Sequence, residues 1–436
     1  MRMKNLPMLQ KIKEIPWSEP LNFLQNIAAR GDDFAFLYSS RQDSPSSNFS
    51  YLAFEPIFAL DTEDANQAAA LFTQENMQLE SAFFGVLGYG LKNQLEKLPA
   101  EKPGKISMSS IRLRRYRQIL LWDHRSKKLS FWSDNKQTLP PSPASMPESK
   151  NISAPISLLS DRNKAEYIAD ILQILSAIKN GDLYQANLTR KYFGIWEKVP
   201  EMPALFARLC KESPSSYSAL LRFGDSWILS SSPESFLKSD GKKIIMQPIK
   251  GSIKRSADKE QDKYLQEMLQ SSKKDQAENL MIVDLCRHDI AKYCQPGTVD
   301  VPQLFALESY ATIHHLVSTI TGELKAGATS WQALLGCFPP GSMTGAPKIQ
   351  AMKLCHQLEP FSRGVYSGAL GLIGGDGSLD MSVVIRTLIA KGNEFEFQVG
   401  GGIVADSNPE LEWQETLVKA RGILAALAVE NFEQET

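Results

Sequence analysis

Two pairs of acidic residues stand three apart along the chain, Asp275 with Glu278 and Glu412 with Glu415. In a helix that spacing puts both carboxylates of a pair on one face. Two such faces opposed across a cleft would offer hard oxygen ligands to a divalent cation, and Mg²⁺ suits a site with few carboxylates and several waters. The same spacing is common on solvated helix surface. What points inward are the runs that follow, Leu280-Met-Ile-Val-Asp-Leu285 and Leu417-Val418.

A lysine, Lys250, lies in Pro248-Ile-Lys-Gly-Ser-Ile-Lys-Arg255. At a strand end such a lysine is either surface charge or a nucleophile. Asp240-Gly241 is a strong hairpin dipeptide. A two-residue loop there sets Glu234 opposite Gln247, with Lys250 three residues further, about 10 Å along the strand. A regular strand would turn Lys250 to the other face; Pro248 is where a bulge or strand exit could re-aim it.

Gly392-Asn393 predicts a second hairpin, between 381–390 and 394–399, whose register pairs Arg386 with Val399, one residue from Gly400-Gly401-Gly402. A guanidinium beside backbone N–H groups free of side chains would receive a carboxylate. Three glycines would equally permit a tight bend. His314-His315 lies among apolar residues, and alternation sends one imidazole inward and one outward. An inward His is either a satisfied core group or a catalyst. Gly341-Ser-Met-Thr-Gly-Ala-Pro-Lys348 has Pro347 where a phosphate loop has Gly before its Lys, which excludes an ATP site of that kind. No Gly-x-Ser-x-Gly is present for a hydrolase elbow. Cys210, Cys286, Cys294, Cys337 and Cys355 form no CxxC and no Gly-x-Cys-x-Gly setting, so reduced, packed thiols are expected.

These groups need elements to hold them. Helices are expected near 163–180, 259–274, 275–290, 345–358 and 409–428, and strands at 34–38, 119–122, 227–237 and 243–249. A Pro- and Ser-rich break divides the chain into an N-terminal region (1–133), a linker or loop (134–155) and a catalytic region (156–436). Hairpins with helices between them predict an antiparallel α+β architecture rather than a doubly wound parallel sheet. With 436 residues, 43% hydrophobic and 22% charged, the chain can bury a large core. A net charge of -1 without long blocks of one sign disfavours a nucleic-acid binder led by phosphate attraction. The amino terminus carries no signal-like apolar run, and no stretch approaches the ~20 apolar residues of a membrane span, so a soluble, cytoplasmic protein is expected.

In order along the chain, Gly181-Asp-Leu-Tyr-Gln-Ala-Asn-Leu188, Ser232-Pro-Glu-Ser-Phe236, Pro248-Ile-Lys-Gly-Ser252, Ala277-Glu-Asn-Leu-Met-Ile-Val-Asp284, His315-Leu-Val-Ser318, 341–348 and 400–407 closely resemble the chorismate-utilising enzymes, the para-aminobenzoate branch in particular. The resemblance runs from about Phe34 to the C-terminal helix. It implies an anthranilate synthase component I-like fold: a large α+β unit with two facing antiparallel sheets, helices outside and the active site deep between them. It implies Mg²⁺ held by Glu278 and Glu415, with Asp275 and Glu412 outside that shell or bound through water. Asp275 departs from the Glu of some relatives. Tyr366 and Arg386 would bind the enolpyruvyl carboxylate, and Lys419 with the Gly400 and Gly402 N–H groups the ring carboxylate. Ser342 and Gln185 would also face substrate. Glu234 would be the general acid for the C4 hydroxyl, kept protonated by burial, and His315 would position or polarise the ring.

Two positions separate the branches. Lys250 replaces the alanine that anthranilate synthases carry in Pro-Ile-Ala-Gly, and the resemblance implies a covalent nucleophile. Its neutral amine would attack C2 and expel the C4 hydroxyl; ammonia would then enter at C4 and expel the lysine. Gln185 stands where isochorismate and salicylate synthases carry a lysine that activates water. An amide cannot serve as that base, and ammonia needs none. Ser252 replaces the commoner threonine and keeps the hydroxyl.

The implied reaction is Mg²⁺-dependent amination of chorismate at C4, giving 4-amino-4-deoxychorismate for para-aminobenzoate and folate synthesis. A separate glutamine amidotransferase subunit is expected to supply ammonia, because neither that domain nor an added lyase domain is read in the chain. Amination at C2 and a non-catalytic, amidotransferase-binding subunit are the alternatives. Leu37-Tyr-Ser-Ser40 resembles the segment that helps form the tryptophan pocket of relatives.

Overall fold

The computed structural model describes residues 9–41, 48–72, 82–145, 152–310 and 313–429. The architecture is α+β, as expected, and is built on one long antiparallel ladder folded into two halves. The first half runs Ser157–Ser160, Gln185–Ile195, Glu394–Val404, Thr387–Lys391, Ser226–Ser232, Tyr217–Phe223, Phe34–Tyr38 and Phe49–Thr62. Phe49–Thr62 pairs with Ile111–Asp123 over most of its length. Ile111–Asp123 then carries the ladder into Phe83–Leu87, Ala369–Ile373, Ser378–Val383, Ser235–Asp240, Lys243–Met246, Ile313–Glu323 and Asp300–Ser309. The fold-over coincides with a register shift between Pro56 and Phe58, beside Glu55 at φ 61°. A bulge of this kind bends and twists a strand.

Alternation assigns each face. Phe34 and Phe36 point outward into a core with Phe23, Trp122, Phe206 and Phe397. Ala35 points the other way, into a cluster that joins Leu221, Ile228 and Ile389 of the first half to Phe84, Leu370 and Leu372 of the second. That shared cluster makes the halves face each other. The outer side of the second half packs Phe236, Met381 and Leu237 against Ile282, Val283 and Cys286 of a helix. Burial of a Phe or Leu side chain contributes roughly 1.5–3 kcal/mol, so the outer and shared cores together hold the site between rigid walls.

Helices form at Lys164–Lys179, Lys259–Ser271, Lys273–Ala291, Lys348–Leu358 and Pro409–Ala426. The first starts with an Asn163/Glu166 capping box, and Asn408 caps the last through the Glu410 and Leu411 N–H groups. The expected helix at 345–358 begins only at Lys348, after Pro347; residues 341–346 form a short 3-10 turn and a two-residue strand. All five cysteines are buried free thiols. Among the described residues no helix is long and apolar enough to cross a membrane.

The strands expected at 227–237 and 381–390 are each two strands, interrupted at Pro233-Glu234 and at Val384–Arg386. The first hairpin register also differs from expectation: Lys238 pairs with Ile245 and Ser239 with Ile244. The cause is local. The Asp240 carboxylate accepts from the N–H of both Lys242 and Lys243, at 2.9 and 2.7 Å, and draws the turn one residue on to Gly241-Lys242. The second hairpin keeps its expected register, with Leu388 opposite Phe397 and Lys391 opposite Glu394.

Candidate active site

Both interruptions occur where the chain crosses from one half of the ladder to the other. Ser226–Ser232 belongs to the first half and Ser235–Asp240 to the second; Pro233 and Glu234 make the crossing. Ser378–Val383 and Thr387–Lys391 cross back beside them, through Arg386 at φ 49°. The crossings are tied together: Val383 N–H donates to the Glu234 carbonyl at 3.0 Å, and Ser231 N–H to the Arg386 carbonyl at 3.1 Å. A left-handed arginine is strained backbone of the sort that persists where surroundings impose it. The Glu234 side chain is buried beside Met246, Pro248 and Ile282. Burial raises its pKa, opposed by a hydrogen bond from Ser342 and by the charges of Lys250, Lys419 and Arg386.

Lys250 is re-aimed by a bulge, one step later than Pro248. Ile249 pairs with Val317 but Ser252 pairs with His315, so Lys250 and Gly251 together oppose a single residue. Gly251 adopts φ +86°, and a Cβ there would lie 2.9 Å from Cβ of Asp275. The bulge needs glycine. It turns the Lys250 amine toward the opposite half, where Nζ lies 3.7 Å from the point a Cβ on Gly402 would occupy. Its charge bears on Glu234, Glu278 and Glu415.

Asp275 and Glu278 share the inner face of the helix Lys273–Ala291. Asn279 fixes that face: its amide donates to the Leu316 carbonyl at 3.3 Å and accepts from the Ser318 hydroxyl at 2.6 Å. Burial raises the Glu278 pKa, against Lys250 and Lys274 and with Asp275 and Glu415. Glu412 and Glu415 approach from the C-terminal helix. Gly401 passes directly under them, since a Cβ on it would be 3.0 Å from Glu412 Oε2 and 3.8 Å from Glu415 Oε1. Burial raises the Glu412 pKa, while the Ser407 hydroxyl, donating at 2.7 Å, opposes it. Burial acts on Glu415 too, but Lys419 at 2.6 Å outweighs it and the pKa is lowered. Lys419 also donates to the Gly400 carbonyl at 2.7 Å.

The glycine run does not bend; it lies within the strand Glu394–Val404, paired with 187–189. Its bareness admits neighbours instead. A Cβ on Gly400 would meet the Leu188 carbonyl at 2.3 Å, and one on Gly402 the Gln185 Nε2 at 2.5 Å. Gln185 is fully buried, and neither its Nε2 nor its Oε1 has a hydrogen-bond partner. A donor and an acceptor left bare beside Lys250 mark a place for a small polar molecule.

Both histidines are buried, which corrects the inward-outward expectation. Alternation holds, but helix Lys259–Ser271 covers the outer face, where His314 bonds to Asp262 at 3.1 Å and Ser309 at 2.8 Å. His315 faces the site, its Nδ1 2.6 Å from the Ser252 hydroxyl. Burial, with Arg386, Arg41 and His314 nearby, pushes its pKa down to about 3. Tyr366 is buried, and Glu234 is among the charges that act on it.

Sequence reasoning missed Arg363. Its guanidinium, 1% exposed, binds Glu359 at 2.7 and 2.9 Å, the Met343 and Asn187 carbonyls at 2.7 Å each, and the Ser367 hydroxyl at 3.2 Å. It thereby locks the segments bearing Ser342, Gln185 and Tyr366, three residues far apart in sequence. Lys348 is likewise structural, donating to Asp289, Cys337 and Pro339. Leu37, Tyr38 and Ser39 line a separate cavity of about 240 Å³ with Lys238 and Asp380.

The four acids are hard oxygen donors on two facing helices, the type of set that suits Mg²⁺. Among the described residues no three such side chains converge on one point. Water or a substrate carboxylate would complete the shell, as is usual for this ion.

The family model described as chorismate binding enzyme matches residues 32–425. Aminodeoxychorismate synthase component 1 of Klebsiella aerogenes is 37% identical over 349 residues, covering 79% of this chain and 76% of that protein. Anthranilate synthase component 1 of Thermus thermophilus is 33% identical, covering 81% and 79%. The crystal structure of anthranilate synthase component I from Streptococcus pneumoniae matches with a TM-score of 0.77 at 26% identity, covering 87% of this chain and 93% of that one.

Proposed function

The chain belongs to the family of chorismate binding enzymes, and on that premise we propose that it aminates chorismate at C4, giving 4-amino-4-deoxychorismate for para-aminobenzoate synthesis. One observation carries the choice of C4: a lysine amine, that of Lys250, projects from a glycine-dependent bulge toward Gly402 and the unpartnered Gln185 amide.

The Lys250 amine attacks C2, the two ring double bonds shift, and the C4–O bond breaks. Glu234 gives its proton to the departing hydroxyl, which leaves as water. Ammonia attacks C4, the ring double bonds shift back, and the bond from C2 to Lys250 breaks with its electron pair leaving on the lysine nitrogen; Glu234 recovers the surplus proton from the new ammonium. The Gln185 amide holds ammonia without deprotonating it. Arg386 and Tyr366 bind the enolpyruvyl carboxylate. Lys419 and the strand at Gly400 and Gly402 bind the ring carboxylate, and neutral His315 holds the ring. Ser342 faces substrate and also bonds to Glu234. Mg²⁺ on Glu278 and Glu415, with Asp275 and Glu412 behind them or joined through water, would neutralise and orient the ring carboxylate. Ammonia comes from a glutamine amidotransferase subunit, a reading supported by the component 1 designation of the Klebsiella relative.

Amination at C2 is the second reading, favoured by the anthranilate synthase relatives. Incubating the protein with chorismate, ammonium and Mg²⁺ and locating the new amine by NMR separates the two. An amine at C4 is expected. An amine at C2 transfers the assignment to the second reading, and no consumption of chorismate leaves the non-catalytic subunit.

A further inference from the structure

The two acids proposed to hold Mg²⁺ differ in the free protein. Glu278 has no ion-pair partner among the described residues; Lys250 and Lys274 act on it by charge, without bonding to it. Glu415 is already taken: its Oε1 lies 2.6 Å from Nζ of Lys419, one helical turn on. The same Nζ donates to the Gly400 carbonyl at 2.7 Å. Lys419 thus bridges the C-terminal helix and the glycine strand, and two of its three N–H donors are spent on the protein. Gly401, the next residue of that strand, runs beneath the Glu412 and Glu415 carboxylates. The ammonium therefore occupies the ground where the acids of this helix would meet a metal.

We propose that Lys419 is a built-in stand-in for the metal: it neutralises Glu415 in the free protein, yields that carboxylate to Mg²⁺, and turns its released ammonium to the ring carboxylate. The inference rests on the chorismate reading above. Glu415 bears by charge on both Glu278 and Glu412, so the free protein gains from a cation at that oxygen. A lysine can both supply the cation and withdraw it, because its ammonium is a point charge on a flexible stem. The bridge is weak enough to part. Its side chains are 38% and 48% exposed, and an exposed pair holds by no more than about five-fold in equilibrium constant. A divalent cation arriving at Glu415 repels the ammonium, and a substrate carboxylate attracts it. Each ligand therefore lowers the cost of binding the other, and the coupling is reciprocal.

Metal titrations without substrate test the first half, with Mn²⁺ as a probe that takes the same oxygen ligands and free Mn²⁺ counted by electron paramagnetic resonance. Lys419→Met should bind Mn²⁺ about three- to ten-fold more tightly than the wild type. Lys274→Met, which removes a charge not bonded to Glu415, should gain clearly less. Thermal shifts with chorismate and no metal test the second half in chains that keep Lys419, and decide the matter should Lys419→Met fail to fold. Glu415→Gln, which releases the ammonium, should respond at lower chorismate concentrations than the wild type or Glu412→Gln. Unchanged or weaker Mn²⁺ binding in Lys419→Met, or equal gains in the two lysine variants, overturns this inference alone. A response of Glu415→Gln no better than that of Glu412→Gln does the same. A wild type that neither turns over chorismate nor is stabilised by it in the presence of Mg²⁺ overturns the functional reading and this inference with it.

Discussion

Glu234 and Arg386 occupy adjacent crossings of one antiparallel strand pair, at the points where it passes from one half of the ladder to the other. The two crossings are laced by the bonds from Val383 N–H to the Glu234 carbonyl and from Ser231 N–H to the Arg386 carbonyl. An acid and a guanidinium are thus presented at the seam by backbone alone, with the rigidity of sheet rather than of loop. Burial in turn raises the pKa of the Glu234 carboxyl, against the charges of Lys250, Lys419 and Arg386.

Glu234→Gln keeps size and polarity but cannot give up a proton as an acid. kcat for loss of the C4 hydroxyl should fall about 10²- to 10⁴-fold, while the melting temperature stays level or rises. Rate assays and thermal melts on the same preparation check this. A variant within a few-fold of wild-type rate would remove Glu234 from the proton transfer.

Gly251→Ala forces a side chain to φ +86° and against Asp275 at 2.9 Å. The backbone strain alone costs about 1–3 kcal/mol, and the bulge that aims Lys250 should be lost with it. Urea midpoints should drop, and activity should fall by more than the folded fraction does. Full activity in the folded variant would show that Lys250 does not depend on the bulge.

Gln185→Leu separates function from stability by sign. Replacing a buried amide with two unpartnered atoms by an apolar group of similar size should stabilise the fold by about 1–2 kcal/mol, while amination falls at least ten-fold. Urea unfolding and ammonium-dependent turnover read the two effects. Loss of stability would mean that the amide is satisfied within the free protein.

The His315 imidazole supplies a pH signature. With its pKa depressed from 6.5 to about 3, the folded chain stays unprotonated there while the unfolded chain takes up a proton. Its stability contribution is therefore complete above pH 6.5 and is lost as pH falls from 6.5 through 3. Over that window the loss is on the order of 4 to 5 kcal/mol. His315→Gln should flatten the slope of unfolding free energy against pH in that range; an unaltered slope would mean that the imidazole titrates normally in the fold.

Much of this site was legible in the sequence where the determinants are local. The register of the second hairpin, with Leu388 opposite Phe397, follows from Gly392-Asn393, though Arg386 itself lies just outside the strand, and the Glu278 and Glu415 faces follow from helical spacing. Where a side chain captured backbone groups, as Asp240 does, the register moved. The division of 227–237 at Pro233-Glu234 was hidden because it depends on the ladder folding into two halves, a relation set by strands more than a hundred residues apart. Arg363 carries no motif: it acts through partners that only the tertiary fold brings near, and its type alone suggests a surface residue.

The covalent role of Lys250 is tested most directly by mixing the protein with chorismate and Mg²⁺ without ammonia, quenching, and weighing the intact chain. The account predicts a species heavier by chorismate less one water, mapped by peptide analysis to Lys250 and absent in Lys250→Ala, whose C4 amination is also slowed. An unmodified chain, together with undiminished C4 product from Lys250→Ala, would contradict it.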